Sequence, residues 1–171
     1  MKALTVVILI AALGTLITGC ASQGHDEPTR TATPTATAAS ENEVASVVAE
    51  YAPDWRDVID NASGCRLEFV MGSDVARSYV CETSEKTMGI TAGLAARSLN
   101  ELKIPEAMSS LVSETGSILE GIAADDLSVL CGDDGWNGTD EDDKACTAAL
   151  GNRFALYQQL DAKLSAWSPY L

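Results

Sequence analysis

Five cysteines and a single histidine are the side chains with the clearest chemical potential in this chain of 171 residues. Four of the cysteines are spaced as two similar pairs, Cys65 with Cys81 and Cys131 with Cys146. An even number of cysteines in an exported chain predicts two disulfides, although four cysteines allow three pairings. A zinc site is the rival interpretation, but it usually requires CxxC spacings and histidines, and His25 lies in a polar segment near the N-terminus.

The fifth cysteine, Cys20, ends a hydrophobic N-terminal run. Lys2 precedes an apolar stretch from Ala3 to Leu16, and Ile17-Thr18-Gly19-Cys20 follows it. A basic start, an apolar run of this length and a small-residue exit are typical of a cleaved secretory signal. The run is also shorter than the roughly 20 residues of a membrane-spanning helix. We therefore expect the chain to be exported.

Residues 17–20 resemble the lipobox of bacterial lipoproteins, in which a branched apolar residue, a small residue and glycine precede the lipidated cysteine. The resemblance implies that residues 1–19 are removed as a signal peptide and that diacylglycerol is attached to the Cys20 thiol. It also implies acylation of the new amino group, commonly with palmitate. The expected location is the outer face of the bacterial cytoplasmic membrane, lipid-anchored and extracytoplasmic. The alternative is a secretory signal without lipidation.

The chain is strongly acidic. Its net charge of −14 becomes −15 when Lys2 leaves with the signal peptide. Such a charge repels nucleic acid and anionic lipid head groups, so we expect no nucleic-acid partner and membrane attachment through the acyl chains on Cys20. Residues 20–40 are rich in Thr, Ala and Pro, a composition that predicts a disordered tether with a reach of about 25 Å.

Residues 41–171 carry a helical hydrophobic periodicity that predicts an all-α domain. We expect four helices, at about 42–61, 73–103, 105–130 and 139–167, packed as a disulfide-stapled, up-down-up-down four-helix bundle. The first helix is expected to stop at the turn-like sequence Asn61-Ala62-Ser63-Gly64. A connector at 66–72 would then lay an apolar plug over the end of the bundle, formed by Leu67, Phe69 and Val70.

Each predicted helix has one apolar stripe that should face the core. The first stripe comprises Val44, Val47, Val48, Tyr51, Trp55, Val58 and Ile59. The second comprises Ala76, Val80, Thr83, Thr87, Ile90, Thr91 and Leu94, with Tyr79 and Met88 at its edges. The third comprises Met108, Leu111, Val112, Thr115, Ile118, Leu119 and Ile122. The fourth comprises Cys146, Leu150, Phe154, Tyr157, Leu160 or Asp161, Leu164 and Trp167. Trp55 and Trp167 are therefore predicted to be core residues.

This plan puts all four paired cysteines at one end of the bundle, which we call the stapled pole and expect to point away from the membrane. Each hairpin repeats the order helix, cysteine, loop, helix, cysteine. We therefore favour the pairings Cys65–Cys81 and Cys131–Cys146. Each would close a loop of about 15 residues and contribute roughly 3 kcal/mol of stability.

The acidic loop between the third and fourth helices is the best candidate for a binding segment. Trp136 lies there among Asp133, Asp134 and Asn137. A large aromatic residue in such a loop could anchor a protein partner, because tryptophan dominates interface energetics. The alternative is that the Trp136 ring caps the end of the bundle.

The same loop partly fits a calcium-binding pattern. Asp133, Asn137 and the acidic residues Asp140 and Asp142 could supply oxygen ligands, but an EF-hand also needs ligands where this loop has Gly135 and Lys144. We therefore predict no metal site, with weak calcium binding as the alternative.

The folded domain lacks the histidine that a Ser-His-Asp or Cys-His arrangement needs. The sequence therefore predicts no enzyme and no cofactor. We expect a non-catalytic binding or interaction module in the cell envelope, with a protein partner there. Two alternatives are a carrier that holds a small apolar ligand inside the bundle and a surface exclusion or defence lipoprotein.

Overall fold

The computed structural model describes residues 37–71, 75–131 and 143–171. These residues form an all-α bundle, so the predicted fold class is confirmed. The elements are α1 (Glu41–Met71), α2 (Val75–Glu101), a short 3₁₀ turn (Glu106–Met108), α3 (Ser109–Ala123), α4 (Leu127–Cys131) and α5 (Asp143–Trp167). The predicted signal peptide at 1–19 and most of the tether at 20–40 lie outside the described residues.

The four long helices pack in the order α1, α2, α3, α5 around the bundle, and neighbours run antiparallel. At the end opposite the disulfides, the Ala39 N–H donates to the Lys103 carbonyl at 2.9 Å, which brings the start of α1 beside the end of α2. The Trp167 indole near the end of α5 reaches Thr115 near the start of α3. Short connections favour this arrangement, because consecutive helices joined by few residues must reverse direction.

α1 begins with a capped turn and runs further than its sequence predicts. The Glu43 N–H donates to Ser40 Oγ at 3.1 Å, an N-cap in front of an acidic first turn. The predicted end at 61 is wrong, because the helix continues to Met71. Asn61 is accommodated inside the helix, where its side-chain amide donates to the Asp57 carbonyl at 2.7 Å. Buried Ala62 then offsets the roughly 1 kcal/mol that a helical glycine costs at Gly64.

The predicted connector at 66–72 is also wrong for residues 66–71, because their backbone belongs to α1. Leu67 is exposed and caps nothing. The side chains of Phe69 and Val70, assigned to the same plug, lie outside the described part of the chain.

The predicted third helix, at 105–130, is divided in the structure. α3 ends at Ala123, and α4 begins at Leu127 after a short break. Asp126 starts the second segment, because its carboxylate accepts a hydrogen bond from the Ser128 N–H at 3.0 Å and one from the Ser128 hydroxyl. The break turns α4 toward the stapled pole, where Leu127 is buried beside the cysteines.

The main core contains both tryptophans, as predicted. Trp55 and Trp167 are fully buried, and each indole N–H donates to a threonine hydroxyl at 2.9 Å, Trp55 to Thr91 and Trp167 to Thr115. Each threonine in turn donates to the carbonyl four residues earlier in its own helix. The two indoles therefore bury a large apolar area without leaving a donor unsatisfied.

The predicted inner stripe of α2 is wrong at most of its described positions, although one member, Thr91, does face the core and accepts the hydrogen bond from Trp55. The side chain of Ala76, assigned to the same stripe, lies outside the described residues. Among the described side chains of this helix, the buried ones are Cys81, Glu85, Met88, Ala92, Ala95, Ala96 and Leu99. Val80, Ile90 and Leu94, all assigned to the core by periodicity, are exposed, and Met88, assigned to an edge, is buried. The disulfide explains the difference, because Cys81 must face Cys65 on α1. Ile90 lies nine residues beyond Cys81, which at about 100° per residue turns it to the opposite side of the helix.

Candidate functional site

The binding residues predicted from sequence lie outside the described part of the chain. This holds for Cys20, the expected lipidation site, and for His25. It also holds for the loop candidates Trp136, Asp133, Asp134 and Asn137, together with Asp140 and Asp142 of the partial calcium pattern. Among the residues that are described, no group of three or more potential ligands could hold a metal ion.

The four paired cysteines are brought together as predicted. Cys65 is bonded to Cys81 and Cys131 to Cys146, with Cα–Cα distances of 5.4 and 4.9 Å. Both bonds lie at one end of the bundle, in a small core that also contains Leu127. The disulfides therefore confirm both the favoured pairing and the existence of a stapled pole.

A buried polar cluster lies next to this pole, and sequence reasoning did not identify it. Tyr157 donates its hydroxyl to the Glu85 carboxylate, and Arg153 Nη1 lies 3.6 Å from the same carboxylate. The Arg153 guanidinium also donates to the Glu85 carbonyl and to the Asp125 carbonyl, both at 2.7 Å. All three side chains of the cluster are almost completely buried. One guanidinium thus joins α5 to α2 and to the break between α3 and α4.

Burial controls the ionisation of this cluster. Removal from water raises the pKa of Glu85, while the Tyr157 hydroxyl and the Arg153 guanidinium oppose the shift. Burial and the nearby carboxylate raise the pKa of Tyr157, which keeps its proton and remains a donor. Most polar atoms of the cluster are satisfied within the protein, although Arg153 Nε has no partner among the described residues. The cluster therefore fixes how the helices sit against one another.

The strongest candidate for an interaction site is the side of α2 that faces away from the core. We call it the outer face of α2 and define it as Tyr79, Val80, Thr83, Thr87, Ile90 and Leu94. Its four large apolar side chains are 69% (Tyr79), 61% (Val80), 64% (Ile90) and 42% (Leu94) exposed. Exposed apolar residues scattered singly are ordinary, whereas several on one face of one helix are typical of an interaction surface.

The charge of α2 is balanced, unlike that of α1 and of segment 105–131, and α5, with three basic and two acidic residues, is also close to neutral. Between Val75 and Glu101 the sequence has three basic and three acidic residues, whereas α1 has two basic and seven acidic residues. From Pro105 to Cys131 there are five acidic residues and no basic one. In a chain of net charge −14, the exposed apolar residues therefore lie on a helix that carries no net charge.

A furrow of about 460 Å³ runs beside the outer face, between α2 and the break that separates α3 from α4. Ile90 and Leu94 form one side, and Arg97 and Asp125 contribute charged groups. Gly89 lines the furrow and leaves room for the Arg153 guanidinium. A Cβ at Gly89 would lie 2.7 Å from Arg153 Nη2.

No helix within the described ranges is long and apolar enough to cross a membrane. Comparison with protein-family models, with curated proteins and with solved structures finds no match to this chain.

The outer face could have been found from the sequence by one further step. The stripe that contains Val80, Ile90 and Leu94 is centred on the side of an ideal helix away from Cys81, with Ile90 about 180° and Leu94 about 140° from that cysteine. A disulfide from Cys81 to α1 is therefore incompatible with that stripe facing the core.

Proposed function

We propose that this protein is a lipid-anchored, non-catalytic binding module of the cell envelope and that the outer face of α2 is its contact surface. The observation that carries the proposal is the presence of four exposed, large apolar side chains on a helix without net charge. An acidic protein remains soluble through its charged faces, so an apolar, charge-balanced face is a surface on which a partner can exclude water at little electrostatic cost.

The anchoring half of the proposal is supported by the resemblance of residues 17–20 to a lipobox. Two or more acyl chains give stable membrane attachment where a single chain gives marginal attachment. The bundle would then be held beside the membrane by residues 20–40, with α2 available to other molecules in the same layer.

The proposal that the module is non-catalytic is supported by the contacts of its buried ionisable groups. Glu85, Arg153 and Tyr157 are bonded mainly to one another and to backbone carbonyls. Each is almost completely buried, and the three together hold α2, α5 and the α3–α4 break in position. Their arrangement accounts for helix packing without requiring a substrate.

A carrier of a small apolar ligand is the second candidate, because the furrow beside the outer face has a volume within the range of small-molecule sites. The middle of the bundle is filled by Trp55, Met88, Tyr157 and Trp167. A ligand would therefore bind in the furrow against Ile90 and Leu94, instead of inside the bundle.

Site-specific photo-crosslinking in cells of the native host tests the contact surface. The full chain would carry the photoreactive residue benzoylphenylalanine in place of Ile90, with the same residue in place of exposed Gln158 on α5 as the matched control. We expect a covalent protein adduct from position 90 and none from position 158. Equal yields at the two positions, or no adduct at position 90, would contradict the proposed surface.

Mass spectrometry of protein purified from host membranes tests the anchor separately. We expect the mature chain to begin at Cys20 and to carry diacylglycerol and a further acyl chain. A Cys20→Ser variant should lose both the lipid mass and the membrane fraction. An unmodified Cys20 in the wild-type chain would overturn the anchor and leave the contact surface to be judged on its own.

A further inference from the structure

α2 carries two hydrophobic seams, and the bundle uses one of them. The inner seam consists of Cys81, Glu85, Met88, Ala92, Ala95 and Leu99, which alternate in steps of four and three residues and are all buried. The outer seam consists of Val80, Thr83, Thr87, Ile90 and Leu94 in steps of three and four. All five of its residues are exposed.

This second spacing indicates what kind of partner fits. Residues that recur every 3.5 positions form a seam that matches the side chains of another α-helix, which is the basis of coiled-coil packing. The outer seam extends for about 21 Å from Val80 to Leu94 at 1.5 Å per residue. A surface of this shape favours a helix as the partner.

Charge favours a second copy of the same chain over an unrelated basic partner. A basic partner would be attracted to α1 or to the segment 105–131, where acidic residues are in large excess. Two copies, by contrast, repel each other at every acidic surface, and the repulsion is small where α2 or α5, the two helices close to charge balance, meets its counterpart. Of these two helices, α2 is the one with exposed large apolar side chains among the described residues, so the apolar seam and low self-repulsion coincide there.

The seam is also complementary to itself. With two α2 helices antiparallel about a two-fold axis, Thr87 of one copy can oppose Ile90 of the other. The same register sets Thr83 opposite Leu94 and Val80 opposite the aliphatic part of Arg97. Each large apolar residue then meets a smaller or flexible one, and a two-fold interface must use one patch on both copies in this way.

We propose that two copies of this protein pair through the outer faces of their α2 helices. The inference rests on the proposed function, since it names the partner of that surface. A single seam of this length buries less than a standard interface, so association would be weak in dilute solution. Anchoring both copies in one membrane raises their effective concentration and compensates for the small area. The antiparallel pair would then lie along the membrane surface with its stapled poles pointing sideways, in place of the outward orientation expected from the sequence.

The test is photo-crosslinking between two copies of the full chain in host membranes. Cells would co-express two versions with different epitope tags, each carrying benzoylphenylalanine in place of Thr87. We expect an adduct that contains both tags and has twice the mass of the chain. Adding Ile90→Glu and Leu94→Glu should reduce its yield at least tenfold, because each copy would then place two carboxylates in the seam in place of the apolar side chains that exclude water.

A control pair keeps the result interpretable. Val129→Glu with Leu171→Glu changes two exposed apolar residues away from α2 and should leave the adduct yield within twofold. Circular dichroism should show both double variants to be folded, since all four positions are solvent-exposed. An adduct at position 87 with a different protein and none with two tags would overturn self-pairing while retaining the contact surface. No adduct of any kind would overturn both.

Discussion

α1 and α2 lie side by side in the bundle and have similar lengths, yet they direct their large apolar side chains to opposite sides. α1 turns Val44, Val48 and Trp55 into the core and exposes a strongly acidic surface. α2 contributes mainly alanine, methionine and the Glu85 carboxylate to the core, while Val80 and Ile90 face solvent. α1 has one apolar stripe and uses it for folding, whereas α2 uses its inner seam and leaves a second stripe of large apolar residues exposed.

The difference teaches that side-chain size alone does not decide which face of a helix is buried. Covalent and polar constraints act on α2 from one side. Cys81 is bonded to Cys65, and Glu85, one turn later, is bonded to Tyr157 and lies beside Arg153. Together they orient the helix so that small residues pack inward, and close approach of neighbouring helices replaces bulk as the source of contacts.

The largest effect that separates the two helices should come from truncating their apolar stripes. Trp55→Ala removes a fully buried indole from α1 and should reduce the free energy of unfolding by about 3–5 kcal/mol. Ile90→Ala, on the outer face of α2, should change it by less than about 0.5 kcal/mol. Urea denaturation of the purified protein measures both, and comparable losses would show that Ile90 is a core residue.

The disulfide should have the next largest effect. Replacing Cys65 and Cys81 together by alanine removes a constraint on a loop with a sequence separation of 16 residues and should cost about 3 kcal/mol. Hydrogen exchange should accelerate most at the start of α2, because its orientation is then held by Glu85 and the packing beyond it. The matched change at Cys131 and Cys146 should leave exchange at the start of α2 unaltered. If removing either disulfide accelerated hydrogen exchange at the start of α2 equally, the Cys65–Cys81 bond would not have a local role there.

Enlarging a side chain should change the free energy of unfolding by different, smaller amounts in the inner and the outer seam of α2. Ala92→Leu inserts methylene groups into a fully buried position and should destabilise the protein by about 1–3 kcal/mol. Thr87→Leu adds similar bulk on the exposed side and should have an effect below about 0.5 kcal/mol. The stability of the two variants can be compared by thermal or urea unfolding. A larger loss of stability for Thr87→Leu than for Ala92→Leu would refute the assignment of the seams.

The smallest effect should be a difference in pH dependence between Glu85 and an exposed glutamate. Because the pKa of Glu85 is raised from its ordinary value of 4.5, its contribution to stability is complete below that value and is lost as pH rises through the raised pKa. Glu85→Gln should therefore gain melting temperature relative to the wild type as pH increases.

Glu114 provides the opposite case. Its bond to Lys163 lowers its pKa, so its contribution is present above the ordinary value and is lost as pH falls through the lowered pKa. Glu114→Gln should lose melting temperature relative to the wild type as pH increases. Differential scanning calorimetry across the pH range checks both variants, and slopes of the same sign would contradict the assignment for Glu85.

Much of this architecture could be predicted from the sequence, for identifiable reasons. Helical periodicity and cysteine spacing are sufficient for the all-α class, for the pairing of Cys65 with Cys81 and for the core positions of Trp55 and Trp167. The end of α1 could not be predicted in this way, because Ala62 and Cys65 gain burial that outweighs the local turn preference of the residues around them.

The candidate site shows the reverse pattern. Its apolar residues form a recognisable stripe in the sequence, but periodicity predicts that this stripe is buried, whereas it is exposed. Periodicity identifies a stripe without saying whether the rest of the protein or solvent lies against it. The buried cluster was missed because Glu85 lies on α2 while Arg153 and Tyr157, one turn apart, lie on α5, and no spacing within one helix relates Glu85 to the other two.

The bond between Cys65 and Cys81 also limits how far the molecule can be stretched. A pulling force that enters the bundle at Glu41 can peel α1 away only as far as Cys65, where the load passes through the covalent bridge directly to α2. The residues between the two cysteines then bear no tension and keep their end-to-end distance. Under a drag force, the length of α1 that is released before the bridge takes the load is therefore limited to residues 41–65.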